Sequence, residues 1–528
     1  MFYPDVKLSD VQGSFHYAEH DEEERGSFLS IVVGADGTTI RVDRFSTIPF
    51  YYALHKGSLY GATKLDLLLE DLPKDFSRKL DAVAAIEFLR MNCMLGDKTL
   101  LEGVARIPPG SELRFDKATG ELKITNYWKL PGDVRRSYNQ NTALRDLHDS
   151  FSAAIKRMAT DEKEIGMHLS GGMDSRQVLG ALLEQGVHVK AFTYGIEENL
   201  DVVITRQLAK QLRLDHVYVK WEGVDRFRTN FPLQMVTTDG MQALIHGHGI
   251  DMFEIEKDQV NRVIIGHFVD LFIQAHGYKS AFEGEGRDLD SRFYHLFNGG
   301  SCSVISGDDL EPAMVEKPYH GCYRESIMQE IRKFDYMIPE KRYDALYFVH
   351  HGLRRLMPQI QSGAHFLDCR VPGLDSEFFD VSWSIPGSIR KYRALQARLL
   401  RDCYSETVDH TPVVMNNNSL AYMGNHAIPR AAIAVDRILR NKRFHILRPY
   451  YQYYGSGLLG MANAHLFDWM RDEITQSPLG DMGFLKSSFI RHLFSTGEFR
   501  PEIGINFYGA LMTLHWFVER YVENAGRP

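Results

Sequence analysis

Residues 168–177 read HLSGGMDSRQ, so that within six positions, Ser170 to Ser175, two hydroxyls, two glycines and a carboxylate follow directly on an apolar run. Glycines let the backbone turn tightly and bring N–H groups close to an anion, and a helix N-terminus just beyond adds partial positive charge. The hydroxyls of Ser170 and Ser175 can donate to phosphate oxygens, while Asp174 can hold a magnesium ion that the phosphates share. Ser170, Gly171, Gly172, Met173, Asp174 and Ser175 therefore read as a phosphate cradle. The stretch is not the GxxxxGK[ST] loop, because the lysine is missing and the glycines are adjacent. The plainer alternative is an ordinary strand-to-helix turn in which Asp174 or Ser175 caps the helix.

A cradle of this kind needs a buried strand before it and a helix behind it. From about residue 140 the chain supplies both: helix (ALRDLHDSFSAAIKRMA), strand (IGMHL), helix from near Arg176 (RQVLGALLEQG), strand (VHVKAFTYG), helix (VVITRQLAKQLRL), strand (HVYVKW). That alternation builds a doubly wound parallel sheet, and a further strand, NRVIIGH, follows near 261. The cradle then lies at the carboxyl edge of the sheet, where such folds bind ligands. Between about 27 and 130 the pattern differs. Short alternating runs are separated by turns such as ADGT and ATGE, with one helical stretch, LDAVAAIEFLRMNCML, which predicts a β-rich layer carrying one or two helices. This part ends near Trp128, and PGDVRRSYNQN after it has linker composition. Beyond about 340 apolar residues recur at helical spacing, as in YDALYFVHHGLRRLMPQI and RALQARLLRDCY.

Composition narrows the class. With 528 residues, 44% hydrophobic, the chain can bury sizeable cores and form two or more domains. A net charge of -8 and the absence of a basic block argue against nucleic acid as a partner. Cys93, Cys302, Cys322, Cys369 and Cys403 are scattered without CxxC or Cys/His ligand spacing, as in a reduced cytoplasmic protein. The start, MFYPDVKLSDVQGSFHYAEH, lacks the basic and apolar parts of a signal peptide, and no apolar run approaches membrane-spanning length. The histidines of HGHG (246–249), with His267 and His276, match no metal-ligand spacing.

The hexad SGGMDS resembles the pyrophosphate loop of the N-type ATP pyrophosphatases, and its surroundings resemble the asparagine synthetases within that superfamily. DRFSTIPFYYALHKGSLYGATKLDLLL is similar to the late half of their glutaminase domain, KTLLEGVARIPPGSELRFD followed by NYWKL to its junction with the synthetase domain, and LDCRVPGLDSEFFDVSWSIP (367–386) to their Arg-x-Pro-Phe-Leu-Asp segment. The resemblance implies an α/β protein: a truncated, β-rich, glutamine-amidotransferase-like (Ntn-type) domain at 1–130, then an asparagine-synthetase-like ATP pyrophosphatase domain at 131–528 with a helical C-terminal part. It implies ATP and magnesium, cleavage between the α and β phosphates, and adenylation of a carboxylate that an amine or ammonia then attacks. In IIGHFVDLFIQ (264–274), Gly266 and Asp270 match the family's second loop, so Asp270 is expected to share magnesium with Asp174. Thr193, Tyr194, Gly195 and Asp201 fall where the family places adenine and ribose contacts. A homodimer is the family's tendency.

Three departures from the pattern qualify what the resemblance implies. Met1 is followed by Phe2 rather than a nucleophilic cysteine, the nearest being Cys93, and the glutamine-holding motifs are absent, so the first domain is expected to be catalytically dead and glutamine not to be the nitrogen source. His267 and Leu271 replace the two glutamates of the second loop; lasso-peptide cyclases can carry a histidine and β-lactam synthetases a tyrosine at the first position. A histidine there can take a proton from an attacking amine, or can be a satisfied buried residue. The family's Arg-x-Lys segment is replaced by DHTPVVMNNNSLAYMG, leaving Lys391, Arg393, Arg398 or Arg401 to neutralise the leaving pyrophosphate, with Lys391 the catalytic candidate. The expected activity is an ATP-dependent amide-forming ligase giving AMP and pyrophosphate. The alternatives are a ring-closing synthetase, a pseudoenzyme that binds nucleotide or a partner, and a tRNA-modifying member of the superfamily.

Overall fold

The computed structural model describes residues 4–18, 26–135, 137–195, 197, 200–221, 225–270, 288–299, 311–415, 419–421, 464–495, 497 and 503–523. Leu271, His276, Cys302 and the asparagines at 416–418 lie outside them.

Among the first 130 residues, those described form two antiparallel sheets with two α-helices. Strands β1 (Ser14–Ala18), β2 (Phe28–Val33) and β3 (Gly37–Val42), then β4 (Tyr51–His55) and β5 (Ser58–Ala62), are followed by helices α1 (Leu65–Asp71) and α2 (Ala82–Met91) and by strands β6 (Val104–Arg106), β7 (Ser111–Asp116) and β8 (Leu122–Asn126). The sheet orders are β1-β2-β3-β7-β8 and β5-β4-β6. The ADGT and ATGE turns close the β2–β3 and β7–β8 hairpins, with Ile31 opposite Ile40 and Leu113 opposite Ile124. Alternation puts Leu29, Ile31, Ile40, Val42 and Leu113 in the core.

Helix α3 (Gln140–Ala159) opens the second half, capped by Asn139, whose side-chain oxygen accepts from the Asn141 and Thr142 N–H groups. Its apolar stripe, including Leu147, Phe151 and Ile155, is buried, with Phe151 against Phe378 at 5.0 Å between ring centroids. Strands β9 (Ile165–His168), β10 (Val189–Gly195), β11 (Asp215–Lys220), β12 (Arg262–Ile264) and β13 (Asp368–Arg370) form one parallel sheet in the order β11-β10-β9-β12-β13. Helices α4 (Met173–Glu184) and α5 (Leu200–Leu212) make the crossovers between β9, β10 and β11. From β9 the chain first builds outward through β10 and β11, then returns to add β12 and β13 on the opposite side. The order therefore switches between β9 and β12, which opens a crevice beyond their carboxyl ends.

The rest is largely helical, including a π-helix at Phe348–Leu356 between α-helical turns. The segment with linker composition is tied down: the Pro131 carbonyl accepts from the Trp383 indole at 2.8 Å, the Gly132 carbonyl from the Ile338 N–H at 2.9 Å, and the Arg135 N–H donates to the Ser384 carbonyl at 2.7 Å. None of the described helices is long and apolar enough to cross a membrane.

Candidate functional site

Both loops at the switch point open into one cavity of about 460 Å³. The first is the hexad, and helix α4 begins inside it, at Met173 rather than near Arg176. Gly172 is the N-cap and no side chain caps the helix, so Asp174 and Ser175 sit in the first turn instead of capping it. A carboxylate in a first turn is favoured by the unsatisfied N–H groups there. The serines brace the loop: the Ser175 hydroxyl lies 3.1 Å from both the N–H and the hydroxyl of Ser170, and the Ser170 hydroxyl accepts from the Gly172 N–H at 3.2 Å. The Gly171 N–H donates to Asp201 at 2.7 Å, and the Gly171 carbonyl accepts from the Val414 N–H at 2.8 Å. A Cβ on Gly171 would stand 2.5 Å from a Val414 methyl, so only glycine fits.

The second loop, 265–270, runs from β12 and brings Gly266, His267 and Asp270 to the same cavity. Its first N–H, on Ile265, is held by the Arg370 carbonyl at 2.9 Å, and Gly373 of the RVPGLD segment packs beneath it, where a Cβ would lie 2.7 Å from the Phe268 carbonyl carbon. Asp375 of that segment caps the helix Ser376–Ser384 and pairs with Arg157 at 2.7 Å. Gly266 abuts the hexad directly: a Cβ there would meet the Asp174 carbonyl carbon and the Ser175 nitrogen, each at 3.2 Å. The two loops are thus in backbone contact.

This brings Asp174 and Asp270 together. Burial, with the charge of Asp270 added, pushes the Asp174 carboxyl up to about 7, against the stabilising pull of Arg393 and Gln396. Gln396 donates to Asp174 at 2.6 Å, and Arg393, in left-handed conformation at φ 56°, pairs with Asp270 at 3.1 Å. Of the cations weighed against the absent lysine, Arg393 is the one placed at these carboxylates. Lys391 is exposed, while Arg398 and Arg401 both pair with Asp402.

His267 borders the cavity, hydrogen-bonded to Gln359; burial and the neighbouring His168 hold it down at about 4, so its imidazole is neutral at pH 7. His168, at the end of β9, pairs with the buried Glu256 at 2.9 Å. Tyr194, Gly195 and Asp201 line the far side with Trp221, and Tyr194 is pushed well above the usual phenol range by burial and the charge of Asp201. Thr193 also borders the cavity, yet its hydroxyl donates to the Leu169 carbonyl at 2.8 Å and lies 3.0 Å from His216. Asp201 is committed to the hexad's own Gly171 N–H.

Gln396, Arg176, His168, Gln359 and Trp221 are among the site residues that sequence reasoning passed over. Fully buried, Arg176 donates to the carbonyls of Thr407, Thr411 and Pro412, fixing the segment that lays Val414 on Gly171. Gln396 reaches Asp174 across 222 positions, for which no local pattern exists. Among the described residues there is no group of three or more His, Cys, Asp or Glu side chains suited to a metal ion.

Comparison with known proteins agrees with this architecture. The glutamine amidotransferase domain model matches residues 8–128 and the asparagine synthase model residues 146–236. Asparagine synthetase [glutamine-hydrolyzing] of Homo sapiens is 23% identical over 277 residues, covering 50% of this chain and 40% of that protein. Asparagine synthetase [glutamine-hydrolyzing] 2 of Bacillus subtilis (strain 168) is 26% identical over 227 residues, covering 41% and 29%. The chain thus spans about two fifths or less of the length of these relatives. Among solved structures, a U34-tRNA thiolase NcsA from Methanococcus maripaludis aligns at 11% identity over 63% of this chain and 88% of that one, with a TM-score of 0.21, too slight to argue from. Two family models in the same order as the two halves of the fold, and relatives that share the name asparagine synthetase, make this chain similar to the asparagine synthetases at low identity.

Proposed function

We propose that the protein is an ATP- and magnesium-dependent ligase that adenylates a substrate carboxylate and passes the acyl group to an amine. The observation that carries this reading is the meeting of the SGGMDS helix start with Asp270 at the switch-point cavity. A magnesium ion suits the donor set, because the charge of Asp270 raises the proton affinity of Asp174 and a divalent cation relieves that repulsion. Asp174 and Asp270 would hold it jointly with phosphate oxygens, and it would supply charge neutralisation at the pyrophosphate.

In the first step a carboxylate oxygen attacks the α-phosphorus, the bond to the β-phosphate oxygen breaks, and pyrophosphate leaves. Ser170 and Ser175 hydroxyls and the N–H groups opening α4 face the charge that develops there, with Arg393 as the nearest cation. In the second step the amine nitrogen attacks the acyl carbon, the bond to the AMP oxygen breaks, and a proton leaves the nitrogen. His267, neutral and oriented by Gln359, is the base for that proton. Tyr194 and Trp221 form the wall against which a nucleoside base packs. The nitrogen comes from ammonia or from an amine on a substrate, the substrate's own in a ring-closing reaction, and not from glutamine. Cys93, the one cysteine of the amidotransferase-like stretch, is buried, and burial pushes its thiol up to about 12.

A second reading, a nucleotide- or partner-binding protein without turnover, draws on the fact that Gln396 and Arg393 already occupy an oxygen of each carboxylate. Incubation of the purified protein with ATP, magnesium, ammonium, pooled amino acids and cell extract separates the two. AMP and pyrophosphate that vanish in Asp174→Ala support the ligase; ADP and phosphate would overturn it, and nucleotide binding without products would favour the second reading.

A further inference from the structure

A second cavity, of about 330 Å³, lies where the end of β8 meets the C-terminal helices, at the small end of the range for ligand sites. Its apolar wall includes Trp128, Phe334 and Phe348. Arg354, on the π-helix, borders it while only 8% exposed, and among the described residues no carboxylate stands within ion-pairing distance of its guanidinium and no hydrogen bond engages it. Burial and the like charge of Arg106 weaken its hold on its proton, bringing it down to about 9. A desolvated guanidinium without a partner is costly, and an anion delivered from outside repays that cost. Asp97, half-buried on the same cavity, acts on Arg354 through space without pairing with it. Of the other charges at the rim, Arg44 pairs with Asp380 at 3.0 Å and Lys333 with Glu330 at 2.7 Å, while Lys129 is exposed.

The cavity thus offers one buried cation, with the exposed Lys129 at its rim, one half-buried anion and an aromatic wall. We propose that it binds a free α-amino acid with an apolar side chain, its carboxylate on Arg354, its ammonium on Asp97 and its side chain against Trp128 and Phe334. The site is separate from the switch-point cavity, with no lining residue in common.

Titration calorimetry on the full chain tests this with L-phenylalanine, 3-phenylpropionate, which lacks the ammonium, and phenethylamine, which lacks the carboxylate. The expected result is binding of L-phenylalanine, with both fragments at least about tenfold weaker, a factor worth about 1.4 kcal/mol. Arg354→Met should weaken L-phenylalanine binding by at least the same factor without lowering the melting temperature, since it removes an unpaired buried charge at similar volume. Asp97→Asn gives a second, surface-tolerant check should the first variant misfold, and Asp174→Ala should bind L-phenylalanine as the parent does. No heat at millimolar ligand, equal binding of 3-phenylpropionate, or loss of binding in Asp174→Ala would each overturn the assignment.

Discussion

Asp43, buried in the N-terminal β layers, and Asp174, half-buried at the edge of the parallel sheet, are both desolvated, and this pushes both carboxyls up, to about 6 and about 7. Their surroundings differ. Asp43 accepts from the backbone N–H groups of Phe28, Phe45 and Thr47 and from the Thr47 hydroxyl, all within one turn of chain after β3 and its β2 partner. Asp174 has Gln396 as its donor, a second carboxylate nearby, and a cavity in front of it. A carboxylate saturated by the chain's own donors holds a turn in place. One left short of donors beside a like charge is arranged for a group that arrives from outside.

Substitution of the two aspartates separates these roles. Asp174→Ala is expected to cost on the order of a hundredfold or more in pyrophosphate release while the protein stays folded, read by product assay and circular dichroism. Asp43→Ala should instead strand three buried N–H donors and lower the unfolding free energy by about 3 kcal/mol or more, measured by urea denaturation. If Asp43→Ala abolished product formation with stability intact, the contrast would fail.

A glycine sharpens the comparison. Gly266→Ala presses a methyl against the Asp174–Ser175 peptide, and repacking is expected to cost about 1–3 kcal/mol in thermal unfolding and to weaken ATP binding in parallel. His267→Asn, which removes the proposed base but keeps a polar group of similar reach, should lower kcat by about a hundredfold with ATP KM little changed.

The smallest effect concerns pH. The folded Asp174 carboxyl, at about 7, holds its proton more tightly than an unfolded aspartate at about 3.9. Between those values the folded state binds more protons, so this group's contribution to stability falls as pH rises from about 4 to about 7 and is level above. Asp174→Asn should remove that fall and melt higher than the parent at pH 8 without magnesium. Activity should rise with pH through about 7 at low magnesium, with the midpoint moving down as magnesium is added, because the cation favours the ionised form. A midpoint indifferent to magnesium would place the titrating group elsewhere.

What was legible from sequence was local. The ADGT and ATGE hairpins close as read, because turn residues between alternating strands act over a few positions. The α4 start was misplaced by three residues: the hexad looks like a loop, but its second glycine already serves as the N-cap. The linker-like segment from Pro131 is held by Trp383 and Ile338, partners about 200 or more positions away that composition cannot show. Lys391 and Arg393 are two residues apart and equivalent in sequence, yet Arg393, in left-handed conformation, pairs with Asp270 at 3.1 Å while Lys391 is exposed.

By itself the sequence determined the parallel alternation, the SGGMDS helix start and the resemblance that singled out Gly266, His267 and Asp270, since periodicity, glycine chemistry and motif spacing are properties of neighbouring residues. Only the tertiary structure decided that β12 lies beside β9, which faces Asp174 with Asp270, and that Gln396, Arg393 and Arg176 complete the surroundings. Those contacts join positions roughly 100 to 240 residues apart, and burial, which sets the proton affinity of Asp174 and His267, exists only once the chain has closed around them.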